Sequence, residues 1–241
     1  MLEQTIKIKS YDVHPNGLLK ISALQKYMQQ IAREDSDSYG ATYKRMREQN
    51  MVFVLTKLSL RINRPIRDEE IITIRTVNNR LDGASFVREF LVSGSEGLVA
   101  EATTYWVLLD FEKRTVLRPS ALMFRIPAMN VEGLGVPIKK RIVSKDTVLG
   151  SCGKYEVRFS DLDENDHLNN AFYSDIIADF SPVSLYENRI SAMQISFASE
   201  ARLGDMLDIS ASPVDGGFIL VARNERTGSV CFESETYVTA L

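Results

Sequence analysis

A short polar segment holds most of the side chains in this sequence that could do chemistry. Residues 160–170, SDLDENDHLNN, place Asp163, Asn165 and His167 at alternate positions. Histidine gains and loses a proton near neutral pH, a carboxylate can orient a water or an imidazole, and an amide donates hydrogen bonds. Glu200, in a later stretch of alternating residues, is a second candidate carboxylate. Together these residue types could activate water for the hydrolysis of an acyl group.

The residues after this segment predict a helix. Asn169 or Asn170 can cap its start, and an apolar stripe follows at Phe172, Ile176 and Phe180. Free backbone N–H groups at the start of a helix suit a developing oxyanion. A simpler interpretation stays open, because an Asp/Asn-rich loop before a helix is commonly a turn plus a cap. A polar residue in an alternating strand likewise commonly faces solvent.

The elements around the segment follow two different periods. Residues 20–40 carry apolar residues at helical spacing and predict one long helix. From Met51 the period changes to two, and about four strands rich in β-branched and aromatic residues follow. Residues 111–150 break this pattern with prolines and a basic cluster. After that break, a short strand, the second helix and a further series of strands repeat the arrangement.

The two halves of the chain align with each other directly. Three pairs of segments match. Asp12 and Asn16 match Asp161 and Asn165 at an offset of 149 residues. Residues 58–68 match 195–205 at an offset of 137, and residues 102–107 match 234–239 at an offset of 132. This predicts an internal duplication of a helix-plus-antiparallel-sheet unit. The fold class expected is therefore α+β, a tandem (double) hotdog in which both helices lie on one side of a single continuous sheet. We assign an N-terminal hotdog unit to residues 1–125, a connector to 126–150 and a C-terminal hotdog unit to 151–241.

The polar set is present in the second copy alone. At the offset of 149, His167 corresponds to Leu18 and Asp163 to His14, and at the offset of 137 Glu200 corresponds to Asn63. A merely solvated loop would carry similar polar residues in both copies. The asymmetry therefore favours one active site per tandem pair, with Asp163, Asn165, His167 and Glu200 as its candidate catalytic residues.

Composition excludes several other classes of function. The formal net charge of −3 argues against general nucleic-acid binding. The sequence has two histidines and no paired-cysteine motif, so we expect no zinc site. Its two cysteines, Cys152 and Cys231, are far apart in sequence, so we expect no disulfide framework. No stretch approaches the roughly 20 apolar residues of a membrane helix, and the N-terminal residues lack the apolar run of a signal peptide. We expect a cytoplasmic protein with reduced thiols, without a cofactor, a metal or a membrane span.

The segment SDLDENDHLNNAFY resembles the D-x-N-x-H-V-N-N motif of the acyl-ACP thioesterases, a family of plant plastids with bacterial relatives. The resemblance extends over nearly the whole chain, through SYDVHPNGLLKISALQKYMQQIA, MVFVLTKLSLRINRP, TTYWVLLDFEKRTVLRPS and FASEARLGD. It implies a tandem hotdog fold and hydrolysis of the thioester between a fatty acyl chain and acyl carrier protein (ACP), which ends fatty-acid synthesis. It also implies that the acyl chain binds in the N-terminal unit.

By the same resemblance, the family's catalytic aspartate, asparagine, histidine and glutamate are Asp163, Asn165, His167 and Glu200. The plant enzymes carry a cysteine directly after the glutamate, where this chain has Ala201. A covalent acyl-enzyme on a cysteine at that position is thereby excluded, and a water-based mechanism is favoured.

Three other activities stay open at the level of sequence: an acyl-CoA thioesterase, a non-catalytic acyl-binding hotdog module and a hotdog dehydratase. The partner expected is ACP carrying a fatty acyl thioester, and a homodimer is left open. Because ACP is strongly acidic, its enzyme needs local positive charge. Two clusters qualify, one in the connector and one after the first helix: Lys139, Lys140, Arg141 and Lys145, and Lys44, Arg45 and Arg47.

Overall fold

One antiparallel sheet runs through both halves of the chain. The computed structural model describes residues 1–123, 125–132 and 134–241, and over these ranges the sheet has ten strands. The strands are β1 Leu2–Lys7, β2 Met51–Ile62, β3 Ile71–Asp82, β4 Ser85–Gly94, β5 Gly97–Asp110, β6 Gly150–Glu156, β7 Asn188–Phe197, β8 Met206–Val214, β9 Gly217–Asn224 and β10 Val230–Ala240. Their order across the sheet is β1-β3-β4-β5-β2-β7-β10-β9-β8-β6.

This order has an internal two-fold symmetry. Each strand of the first half has a counterpart at the mirrored position in the second half, and β2 pairs with β7 at the centre. In that central pair Leu58 lies opposite Ile195, which is its counterpart in the 137-residue alignment. The pseudo-two-fold axis therefore passes between these two residues, and only β1 and β6 are left as edges.

Two helices, one from each half of the chain, pack on the same face of the sheet. Helix α1 covers Ile21–Ser38 and helix α3 covers Phe172–Asp179, and both contribute to one core cluster with residues of both half-sheets. The alternating strand residues that face them are apolar, which removes one face of the sheet from water. The predicted tandem hotdog fold is confirmed, with one continuous sheet and both helices on one side of it.

One strand and one α-helix of the structure were not predicted from the sequence. The six-residue strand β1 pairs with β3 at the edge of the sheet. A second helix, α2, covers Tyr43–Glu48, and the Thr42 side chain caps its start by accepting a 3.3 Å hydrogen bond from Arg45 N. None of the helices in the described ranges is long and apolar enough to cross a membrane.

The connector between the halves lies on the opposite face of the sheet from the helices. Leu58 and Ile195 belong to the core under the helices, so their neighbours Ser59 and Gln194 face the other side. Ser59 Oγ donates to Pro137 O at 3.0 Å. Gln194 accepts from Lys139 N at 2.8 Å and donates to Lys139 O at 2.9 Å. These bonds fix the connector across the centre of the sheet.

Candidate active site

The polar loop is folded by hydrogen bonds of its own backbone. Asp163 N donates to His167 O at 2.9 Å, and Asp166 between them takes a left-handed conformation with φ 59°. Aspartate tolerates this conformation better than most residues. Leu168 N then donates to Ala201 O at 2.9 Å, which ties the loop to the segment after β7. The tie brings His167 beside the residue before Ala201.

His167 and Glu200 are in direct contact. His167 Nε2 lies 3.0 Å from Glu200 Oε2, and the imidazole is 17% exposed. Burial lowers the pKa of His167, and the nearby Arg202 and Arg114 lower it further, whereas Asp163 and Asp166 act in the opposite direction. Burial and the two arginines therefore favour the neutral imidazole, whereas the contacting Glu200 carboxylate favours the charged form. In the neutral form Nε2 donates to the carboxylate, and Nδ1 carries the free lone pair.

Asp163 and Asn165 are held in a different way. Asp163 Oδ1 accepts from Asn165 N at 2.8 Å, and its Oδ2 has no partner among the described residues. The hydroxyl of Tyr43, in α2, donates to Asn165 Oδ1 at 3.1 Å. This bond fixes the orientation of the amide and leaves its Nδ2 donors unpartnered within the described ranges. The loop thus offers one free carboxylate oxygen and one free amide group.

Both of these side chains line a cavity of about 540 Å³. The cavity lies between the second half of α1, α2 and the first half-sheet. Its lining combines apolar and polar side chains. The apolar residues are Ala32, Ala41, Met46, Val52, Phe53, Phe86, Trp106 and Ile126, and the polar residues are Lys26, Gln29, Gln30, Arg33, Ser36, Asp37, Tyr43, Asn78, Arg88, Asp163, Glu164, Asn165, Asn169 and Asn170. His167 and Glu200 are not among the lining residues. The structure therefore brings His167 to Glu200, and Asp163 and Asn165 to the cavity.

The equivalent place in the first copy is closed. His14 N donates to Leu18 O at 2.8 Å, which repeats the bond within the polar loop, but Asn16 Nδ2 is occupied by Leu185 O at 2.9 Å. The cavity there measures about 50 Å³. The asymmetry that the sequence predicted is thus a difference in open space as well as in residue type.

One detail of the sequence alignment is wrong. Leu19 N donates to Ile66 O in the first copy, as Leu168 N does to Ala201 O in the second. This equivalence places Pro65, and not Asn63, at the position of Glu200. The offset between the two copies falls from 137 within the strand to 135 in the loop after it, because the first copy has two more residues than the second between the middle of the strand and this hydrogen bond. The first copy still lacks the glutamate.

The prediction of free oxyanion donors at the start of α3 is also wrong for the first two N–H groups. The helix begins at Phe172, three residues later than Asn169. Asn169 occupies the first two N–H groups itself, since its Oδ1 accepts from Ala171 N and its carbonyl accepts from Phe172 N, both at 2.9 Å. Those two groups are unavailable to a substrate.

Neither cysteine offers a nucleophile at the site. Cys152 is exposed on β6 and Cys231 is buried on β10, and neither is in a disulfide. Burial raises the pKa of the Cys231 thiol, so it stays protonated. Ala201, at the position of the plant cysteine, is fully buried. Among the described residues no group of three or more His, Cys, Asp or Glu side chains could hold a metal ion.

Sequence reasoning missed three residues around the site. Tyr43 orients Asn165, and the guanidinium groups of Arg114 and Arg202 lie against Glu200. Nothing in their local pattern distinguishes them from surface residues. Tyr43 and Arg114 act from segments distant in sequence from the residues they contact, and Arg202, two residues after Glu200, has an exposed side chain. Only the tertiary fold places them.

Comparisons with known proteins cover both halves of the chain. The family description "Acyl-ACP thioesterase N-terminal domain" matches residues 1–120, and "Acyl-ACP thioesterase C-terminal domain" matches residues 145–235. A palmitoyl-acyl carrier protein thioesterase of Gossypium hirsutum is 24% identical over 83% of this chain and 52% of its own length. The chain spans about half to three-fifths of the length of the curated relatives it matches.

Solved structures show the same fold. An acyl-ACP thioesterase from Bacteroides thetaiotaomicron superposes with a TM-score of 0.81 at 20% identity, over 98% of this chain and 97% of that one. A 12:0-ACP thioesterase from Umbellularia californica gives a TM-score of 0.82 at 18% identity, over 100% of this chain and 97% of that one. With both family domains matched in order over most of its length, the chain belongs to the acyl-ACP thioesterase family.

Proposed function

We propose that this protein is a thioesterase that hydrolyses fatty acyl-ACP to free fatty acid and ACP, and so ends fatty-acid synthesis. The observation that carries the proposal is the contact of 3.0 Å between His167 Nε2 and Glu200 Oε2, beside a loop whose free polar groups face a large cavity. A neutral imidazole held by a carboxylate is a proton acceptor suited to pH 7. Membership of the family supports the same reaction.

The four candidate residues have distinct roles in this proposal. Asp163 Oδ2 orients the attacking water, and Asn165 Nδ2 donates to the thioester carbonyl oxygen. His167 takes a proton from the water through Nδ1 while Glu200 stabilises the imidazolium. The water oxygen bonds to the carbonyl carbon, the C–S bond breaks, and the sulfur leaves with the proton from His167. No cysteine takes part.

The acyl chain belongs, in this proposal, in the cavity of the N-terminal unit. Most of the cavity's lining comes from residues before position 125, and it includes aromatic and aliphatic residues such as Phe53, Phe86 and Val52. Apolar burial is the main source of binding energy for an alkyl chain. Narrowing the cavity with Ala41→Leu tests this, since kcat/KM should then fall more for the longest acyl chains than for the shortest. An equal loss for all chain lengths would contradict it.

The division into residues 1–125, 126–150 and 151–241 is kept as part of the proposal. The family matches end at 120 and resume at 145, and β6 begins at Gly150, which supports these boundaries. A cytoplasmic location is supported by the two free cysteines, which suit a reducing compartment. Cell fractionation tests the location. The homodimer stays a prediction, to be tested by light scattering of the purified protein.

One panel of assays decides the function. The purified protein is incubated with acyl-ACP and acyl-CoA of graded chain length, and free thiol release is measured. We expect turnover of acyl-ACP that is lost in His167→Ala. Far better turnover of acyl-CoA throughout would favour the acyl-CoA thioesterase. Binding of acyl chains without any thiol release would favour the non-catalytic module.

A further inference from the structure

The side chain of Arg114 crosses from the N-terminal unit to the candidate catalytic glutamate of the C-terminal unit. Arg114 Nη2 contacts Glu200 Oε1, while Glu200 Oε2 is the oxygen that accepts from His167. Each carboxylate oxygen therefore has its own charged or polar partner. Arg202 approaches Oε2 less closely, at 3.8 Å, and its side chain is 64% exposed.

The backbone at Arg114 is held in place by the turn after β5. Arg114 is in the turn after β5 and has a left-handed conformation with φ 56°, which is unfavourable for a residue other than glycine. Its N–H donates to Asp110 O at 2.9 Å. Asp110 Oδ1 in turn accepts from Lys113 N and from Asn50 Nδ2, both at 2.8 Å. Unfavourable backbone conformations that the surrounding contacts hold in place are concentrated at functional sites.

We infer that Arg114 is a positioning residue for the reaction, which holds Glu200 so that its second oxygen accepts the hydrogen bond from His167 Nε2. The contact with Glu200 would also fix the tautomer of His167, because a carboxylate anchored on Nε2 keeps the proton there and leaves Nδ1 free. The C-terminal site would then depend on a residue of the N-terminal unit. As a statement about catalysis, this inference rests on the proposed hydrolase activity.

The charges that face His167 determine the sign of the effect. Arg114 and Arg202 disfavour the imidazolium, whereas Asp163, Asp166 and the contacting Glu200 favour it. Removing Arg114 takes away one positive charge and leaves Glu200 uncompensated on one side. Both changes stabilise the imidazolium, so both raise the pKa of His167.

The decisive measurement is the titration of His167 by NMR. The chain has two histidines, so the imidazole signals are assigned with a single His14→Gln variant. We expect Arg114→Gln to raise the pKa of His167 by on the order of one unit and to leave that of His14 unchanged. Arg114→Lys keeps the charge and should raise the pKa of His167 less. Lys113→Gln is the matched control, since it removes the same charge from the same exposed turn, and it should change neither histidine.

Kinetics supply the second readout. With an active wild-type enzyme, Arg114→Gln should lower kcat by about 10-fold to 100-fold, less than loss of the acid–base group itself. KM should stay within about 2-fold, because Arg114 is not among the residues that line the cavity. The acid limb of the kcat/KM profile should move to higher pH, with partial rescue in Arg114→Lys.

Two results would overturn the inference: an unchanged pKa of His167 in folded Arg114→Gln, or an active wild type whose kcat and pH profile survive that substitution. A merely structural role would lower the melting temperature without moving the titration. If the wild type releases no thiol from any thioester, the proposed function fails, and the NMR titration still decides whether Arg114 controls the His167–Glu200 pair.

Discussion

Gln25 Nε2 donates a 2.7 Å hydrogen bond to Ser174 Oγ across the interface of α1 and α3. The two residues are counterparts in the 149-residue alignment, so this contact lies on the pseudo-two-fold axis of the helical layer. Leu58 and Ile195 mark the same axis in the sheet below. Both side chains of the hydrogen bond are almost fully buried. Two positions related by the duplication therefore form a buried polar contact with each other.

We expect Ser174→Ala to destabilise the fold by about 1–3 kcal/mol, because it leaves the buried Gln25 amide without its acceptor. Urea unfolding measures the loss. The double variant Gln25→Leu, Ser174→Ala should lose less than the sum of the single variants, since neither polar group then remains. Ser151→Ala, on the exposed part of β6, controls for the change of residue type. Additive losses would show that the two side chains are not coupled.

His167→Ala should lower kcat by on the order of 10²–10⁴-fold, as expected for a positioned acid–base group. The chain supplies its own control in His14, which takes the place of Asp163 in the first copy and lines the small closed cavity. His14→Ala should retain activity on acyl-ACP. Thiol release is measured at several pH values. Comparable losses in both histidine variants would remove the distinction between the two copies.

A third prediction concerns Tyr43, whose hydroxyl orients the Asn165 amide. Tyr43→Phe removes one hydrogen bond of about 1 kcal/mol, which corresponds to roughly a 5-fold decrease in kcat if the amide acts in the transition state. The melting temperature should hardly change, because Tyr43 is only half-buried. Tyr186→Phe, on a well-exposed tyrosine, is the control. An unchanged kcat would show that Asn165 is oriented without Tyr43.

The fold was largely predictable because the periodic patterns that indicate it lie within short segments and occur in both halves of the chain. The period of two in 58–62, the period of 3.6 around Met28 and the matched offsets each point to the same arrangement. The edge strand β1 and the short helix α2 escaped because six residues carry too little periodicity to identify an element.

The site was predictable only in part, for a different reason. Asp163, Asn165 and His167 share one loop, so their spacing in sequence is also a spacing in space. Glu200 was a candidate from the comparison of the two copies, and the resemblance to a family gave it a catalytic role. Arg114 reaches the site through a tertiary contact between the two units, and no pattern within one unit records such a contact.

A fourth prediction follows from the cysteines. Iodoacetamide should modify Cys152 quickly and Cys231 slowly, because the first thiol is exposed and the second is buried with a raised pKa. Activity should persist after Cys152 is fully alkylated, and Ala201→Cys should not create a cysteine-dependent enzyme. Mass spectrometry and thiol release measure the two effects together. Complete inactivation of a still-folded protein would reverse the water-based mechanism.

The last prediction concerns where ACP docks, and the fold separates the two basic clusters. Lys139 lies on the face of the sheet opposite the helices, and its Nζ is held by Glu235 at 2.6 Å. Helix α2 instead borders the cavity through Tyr43 and Met46. Lys44, next to Tyr43, is 87% exposed. Because an acidic carrier must bring its thioester to the cavity, we expect it to dock over α2.

Lys44→Glu should therefore raise KM for acyl-ACP, more at low salt than at high salt, since exposed charges are screened within a Debye length of about 10 Å at 0.1 M. A small thioester that lacks the carrier should be hydrolysed as before, because the substitution lies outside the reacting groups. Lys140→Glu, with the same change of charge on the opposite face, is the matched control and should leave both substrates unaffected. An equal response of the carrier-bound and the small thioester to Lys44→Glu would contradict docking at α2. A selective rise in KM from Lys140→Glu alone would move the docking surface to the connector.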